Sequence, residues 1–122
     1  MLLVAGLLCA GLAVSAEKKE YYEMTETDAR VYVESVKKGE HHDVRKLKEV
    51  VSNKDTAIAL AVAVWSPIYG KEKIEKESPY QVFRIDDCWV VYGSLEKGLK
   101  GGTAEAVISA SDGRFLNISH GK

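Results

Sequence analysis

The sequence predicts an α+β domain: N-terminal helices and one central apolar helix packed on a C-terminal antiparallel β-meander of three to four strands. Three observations predict it. The last third strings together YQVFRI, CWVVYGSL, AEAVISA and RFLNISH, short runs rich in β-branched and aromatic residues. They are split by Asp86-Asp87, by a glycine-rich stretch ending in Gly101-Gly102, and by Asp112-Gly113, all of them turn or loop chemistry. The middle holds one alanine-rich apolar run, AIALAVAVW, long enough for a helix. Charged residues gather in 17–55 and 71–77 and leave the core-forming segments almost uncharged.

Residues 1–16, MLLVAGLLCAGLAVSA, carry no charge and end in Val14-Ser15-Ala16, small residues of the kind a signal peptidase accepts. The run is short for a membrane span, which needs roughly 20 residues. An export signal cleaved after Ala16 is the expectation, with a mature chain starting at Glu17. The usual basic start is missing, so a retained membrane anchor is the competing reading. Lipidation at Cys9 fits less well, because Leu8 precedes it and more apolar sequence follows.

Residues 17–26, EKKEYYEMTE, read as a polar lead-in with Tyr21 and Tyr22 exposed. With this lead-in, 17–122 reads as a single α+β domain. Thr25 or Thr27 suits a helix start, and Ala29, Tyr32, Val33 and Val36 recur at helical spacing up to Gly39. A second short helical piece is expected over Val44, Leu47 and Val51. Asn53 as N-cap, Asp55 in the first turn and the alanines predict a helix over Lys54–Ser66, even though large and small residues also alternate there. Apolar nearly all round, it should be the buried central helix, kinked or ended by Pro67 and released at Gly70.

From Ser78 on, the period becomes two. Phe83 and Ile85 should face one side, and Tyr80 and Val82 the other. Asp86-Asp87 turns the chain into Cys88–Leu95, where Trp89 and Val91 oppose Val90 and Tyr92. Glu96–Gly102 is an exposed loop. Ala104, Ala106, Ile108 and Ala110 share one face, their small size allowing a helix to press close. The last strand, Arg114–His120, should bring Leu116 and Ile118 to the same core.

With 17 basic and 18 acidic residues the charges nearly cancel, and no basic patch with interleaved aromatics supports a nucleic-acid partner. A membrane would be met only through an uncleaved signal or a lipid anchor. Once the signal is removed, Cys88 is the only cysteine, so no internal disulfide can form and it reads as a small buried apolar residue.

Catalytic patterns are weak. His41-His42-Asp43 places adjacent imidazoles that on a helix diverge by about 100° and chelate poorly together. Asp86-Asp87 reads as a turn rather than an acid–base pair. Gly101-Gly102 lacks the GK[ST] ending and the following helix of a phosphate loop, and no GxSxG elbow occurs. The reading is a non-enzyme without cofactor or metal. Trp65 and Trp89 are expected in the core more than at an interface.

The run NKDTAIALAVAVWSPIYGKE, followed by CWVVYGSLEKGLKGGTAEAVISASDGRFLNISHGK, resembles the small bacterial immunity proteins with a nuclear-transport-factor-2-like fold. The matching features are Asn53-Lys54, Trp65 with Pro67-Ile68-Tyr69-Gly70, Trp89 with Tyr92-Gly93, Gly101-Gly102, Ala106-Val107-Ile108, Asp112-Gly113-Arg114, and the closing Leu116 and Ile118. The resemblance implies a cone of helix on sheet, related to the cystatin-like folds, that neutralises a polymorphic toxin by binding it, with no catalytic residues. A terminal xDGxxL hairpin is also similar to peptidase-propeptide modules, which implies an inhibitor or envelope adaptor. Related cones hold small apolar ligands, a third reading.

The expected product is an exported, periplasmic or envelope protein that binds a cognate toxin or effector. Candidate contacts are Tyr21 and Tyr22 in the lead-in and Lys97, Lys100, Gly101 and Gly102 in the loop, with the exposed sheet face beside them. Oligomeric state is left open.

Overall fold

A computed structural model describes residues 17–122; the expected export signal and Cys9 lie outside the described residues. The chain divides between His41 and His42 into two compact units.

In the first unit, Thr25 caps α1 (Glu26–Lys37). Its hydroxyl accepts from the Asp28 amide at 3.1 Å, and the Asp28 carboxylate accepts from the Thr25 amide at 2.9 Å. This capping box satisfies two otherwise orphaned donors and holds the Asp28 carboxyl below its ordinary range. Gly39, at φ 74°, ends the helix by donating to the Val36 carbonyl at 3.0 Å. His41 folds back on the same helix, 2.6 Å from the Ser35 hydroxyl and edge-on to Tyr32. Its ring is therefore used locally rather than paired with His42.

The second unit begins with a change to the expected pattern. Residues 44–51 form a single 3₁₀ turn, Val44–Lys46, and not a helical segment. Past it the chain runs through a turn and bends, with the Val50 and Val51 amides donating to the Ser111 and Ala110 carbonyls at 3.1 and 3.0 Å. Those long-range bonds replace a helix ladder and bury Val51 completely.

Helix α2 runs from Lys54 to Tyr69, three residues past the expected end. Asn53 caps it through the Thr56 amide at 2.9 Å. Pro67 lies inside the helix. Along the stripe Ala59, Ala63, Pro67 the helix is exposed, so the carbonyl that proline leaves unbonded can be hydrated. Correcting the expectation of an all-round buried helix, only Ala57, Ala61 and Trp65 are fully buried. Gly70, at φ 100°, then breaks the path, and α3 (Lys71–Lys76) follows. Sequence reading missed this helix, because KEKIEK offers only Ile74 as an apolar signal.

The sheet has strand order β1-β2-β3-β4 and is antiparallel throughout: Gln81–Ile85, Cys88–Tyr92, Ala104–Ser109 and Phe115–His120. Asp86, at φ 51°, makes the first turn. The helix-facing side brings Val91, Ala104, Ala106 and Ile108 against the buried stripe of α2. Small residues lie on both sides of that contact, Ala57 and Ala61 on α2 and Ala104 and Ala106 on the third strand.

Both tryptophans belong to this core. Trp65 Nε1 donates to the Glu105 carbonyl at 3.2 Å, and Trp89 Nε1 to the Val51 carbonyl at 2.8 Å. The Arg84 guanidinium lies 5.3 Å from the Trp89 ring centre and pairs with both Glu49 oxygens, holding that carboxyl below its ordinary range.

The last strand departs from the expected parity. Val107 pairs with Asn117 but Ile108 with Phe115, so Leu116 is an extra residue in a bulge. The bulge turns Phe115 to the core and leaves Leu116 51% exposed, while Ile118, opposite Ala106, keeps the expected helix-facing side although 38% exposed on the edge strand. Simple alternation could not have shown it.

Within the second unit α2 leaves the other sheet face uncovered. Register places Phe83, Val90 and Val107 in one row across three strands, flanked by Ile85 and Tyr92. Cys88 sits on this face, half-buried, rather than in the core; burial and Asp87 push its thiol up.

Candidate functional site

Three consequences of the fold converge where α3 meets the end of the sheet. Gly70 redirects the chain so that Ile74 is buried under α3. Glu77 follows as the cap residue of α3, and its side chain turns inward, only 8% of the residue remaining exposed. Tyr80 then folds back to donate to the Ile74 carbonyl at 2.8 Å. Burial, with the Glu75 and Glu77 carboxylates nearby, pushes the Tyr80 phenol up.

Glu77 is the hub. One carboxylate oxygen accepts from the buried Ala104 amide at 2.7 Å, and the other lies 3.2 Å from His120 Nε2. His120 Nδ1 is 2.8 Å from the Gly121 carbonyl, so each ring nitrogen faces an oxygen acceptor. The Tyr69 ring packs 5.2 Å from the imidazole. The Glu77 carbonyl receives the Ser94 amide at 2.6 Å. The acid thus ties α3, the start of β3 and the end of β4 together, and both of its oxygens are in use.

Two glycines make room for this closure. A Cβ on Gly93 would stand 2.6 Å from a Glu77 carboxylate oxygen. On Gly102 it would stand 2.1 Å from the Gly121 carbonyl carbon, a backbone atom that cannot swing aside. Gly121 donates to the Thr103 carbonyl at 2.9 Å in the same contact.

Above the hub lies a groove of about 400 Å³. Lys73 and Lys76 of α3 form one wall, and Ser94, Leu95, Glu96 and Leu99 the other, with His120 and Gly102 at the floor. Lys97, Lys100 and Gly101 are exposed in the same loop, Gly101 at φ 130°. Of these expected contacts only Gly102 lines the groove, and it is half-buried with its backbone engaged with Gly121. Tyr21 and Tyr22 are 79% and 101% exposed in the lead-in of the other unit.

Sequence reading missed Glu77, His120, Lys73 and Lys76. An acid that directly follows the lysine-rich KEKIEK looks like any solvated charge; only the glycine at 93 hinted that something needed space there. Among the described residues no cluster of histidine, cysteine and acids is arranged to hold a metal ion. No helix among them is long and apolar enough to cross a membrane.

Comparison with known proteins gives this geometry a context. The model of the NTF2 fold immunity protein family, Imm-NTF2-2, matches residues 56–122, from the first turn of α2 to the end of the chain. The chain is similar to the uncharacterized protein YhhH of Escherichia coli (strain K12), 32% identical over 91 residues, covering 74% of this chain and 72% of YhhH. It is also similar to the uncharacterized protein YbbC of the same organism, 34% identical over 92 residues, covering 75% of this chain and 72% of YbbC. No solved structure matches the chain.

Proposed function

The chain belongs to the NTF2 fold immunity protein family, and from that premise we propose that it is exported and masks its toxin by direct binding in the cell envelope. Immunity proteins act on a cognate toxin protein, and the role needs no catalysis. The observation that carries the reading is the span of the family match, which takes in α2, the Glu77 hub and all four strands.

Binding would use preformed surface. The rigid sheet presents its open face without rearrangement, and the groove beside Lys73 and Lys76 adds a charged border. Ligand carriage has less support. Trp65, fully buried, fills the space between α2 and the sheet where a carrier would hold its ligand. The apolar, uncharged residues 1–16 support export, and with it a toxin that acts outside the cytoplasm.

A deletion strain tests both parts. Grown against siblings that carry all their effectors, it should lose fitness, and the full chain should restore it. A version lacking residues 2–16 should fail to restore. Full resistance of the deletion strain would sink the immunity role. Equal rescue by the shortened version would leave immunity standing and remove export.

A further inference from the structure

We propose that the open face of the sheet, opposite α2, is the surface the cognate toxin covers, through a patch of the toxin that is itself apolar and uncharged. The inference rests on the immunity reading and assigns it a place.

The face is unusual for this chain. Charged residues make up 29% of the sequence, yet among the residues that register puts on this side Glu105 alone bears a charge. Glu105 is half-buried, with one carboxylate oxygen 3.4 Å from the Ser119 hydroxyl. In place of charges stand Phe83, 50% exposed, Ile85, 55%, and Tyr92, 38%, around half-buried Val90 and Val107. An aromatic and aliphatic centre with amides and hydroxyls at its edge (Gln81, Asn117, Ser119) has the anatomy of a protein interface. A soluble chain that keeps such a patch open has a use for it.

Size chooses between occupants. Four strands about 4.8 Å apart, each offering roughly five residues at about 3.3 Å, give a face near 300 Å², or about 400 Å² with side-chain relief. Two copies meeting face to face would bury about 800 Å², short of the roughly 1,200 Å² of a stable interface. A larger, different partner can cover the face and continue over its rim. Charge sets the partner's chemistry: a carboxylate pressed on Phe83 and Val90 would lose its water and meet no cation, and the one acid on the face, Glu105, is half-buried and already faces Ser119, which leaves little for a lysine.

The full chain, carrying photo-reactive benzoylphenylalanine in place of Phe83, Leu99 or Tyr22, is expressed and irradiated in its own host. These side chains are all at least half exposed, so the fold tolerates each replacement. Any captured protein is identified by mass, then produced in the deletion strain to see whether it stops growth. The expected result is a growth-stopping protein captured from position 83, with Phe83→Asp weakening its binding at least about 30-fold at an unchanged unfolding midpoint. Capture of such a toxin from Leu99 or Tyr22 but not from 83 overturns the face and leaves immunity standing. A harmless protein captured from 83 removes the immunity role while the face remains a docking surface. A cross-linked pair of this chain's own copies overturns the proposal in favour of a dimer.

Discussion

Replacing Glu77 by alanine should be among the most damaging single changes outside the apolar core, although Glu77 looks in the sequence like one charge among many. Its side chain is 11% exposed and that of His120 17%, so solvent screens little. Removing the carboxylate leaves the buried Ala104 amide without its acceptor at 2.7 Å, a loss of about 1–3 kcal/mol. Loss of the contact to His120 adds roughly 1 kcal/mol, partly offset if water enters from the groove. The total, about 3 kcal/mol, is large against the roughly 5–15 kcal/mol that holds a domain together. It corresponds to a fall in midpoint of roughly 12–24 °C. Glu77→Gln keeps an oxygen for the Ala104 amide and should cost about 1 kcal/mol. Urea titration followed by the fluorescence of Trp65 and Trp89 measures both variants. Amide exchange at Ala104 locates the damage. An alanine variant within about 1 kcal/mol of wild type, or equal losses for alanine and glutamine, would refute the hub.

Other outcomes follow from the same contacts. Gly102→Ala must push Gly121 away, so exchange at the Gly121 amide should speed up and stability should drop by about 1–3 kcal/mol; an unchanged exchange rate would contradict the close approach. Phe115→Ala should cost about 2 kcal/mol and Leu116→Ser less than about 0.5 kcal/mol, an order that reverses if the bulge is absent. Hydrogen bonds from the Arg45 side chain and amide lower the Asp43 carboxyl to about 2. Its folded value lies below its unfolded one, so its contribution to stability is present above about pH 4 and disappears as pH falls toward 2. Carboxyl NMR should show Asp43 titrating near 2, and Asp43→Asn should flatten that part of the stability profile.

Much of the fold was legible because local and tertiary preferences agree. Asn53 caps α2 as its side chain allows, and alternation in β1 and β2 sorted Val82 and Trp89 from Phe83 and Val90 correctly. Elsewhere a distant contact overrode the local pattern. Val51 looked helical, but its amide bonds to Ala110 in a contact no local pattern encodes. Leu116 looked inward until the bulge changed the count by one residue. Pro67 looked terminal because its cost was judged without knowing that its side of α2 is exposed. The hub was invisible for a related reason: burial, not residue type, distinguishes Glu77 from its neighbours.

The features behind the family resemblance have, one after another, a steric or hydrogen-bonding reason. Gly93 clears space for Glu77, Gly102 for Gly121, and Gly113 turns at φ 75°. The indole N–H of Trp65 and that of Trp89 each satisfy a backbone carbonyl. Changing any of these disturbs the core or its closure. Phe83, Ile85, Lys97 and Lys100 project outward, and changes there leave the packing intact. The toxin-masking role proposed above needs a surface able to vary without loss of stability. This fold supplies it by spending its special residues on the helix side and the closure, and leaving the far side of the sheet free.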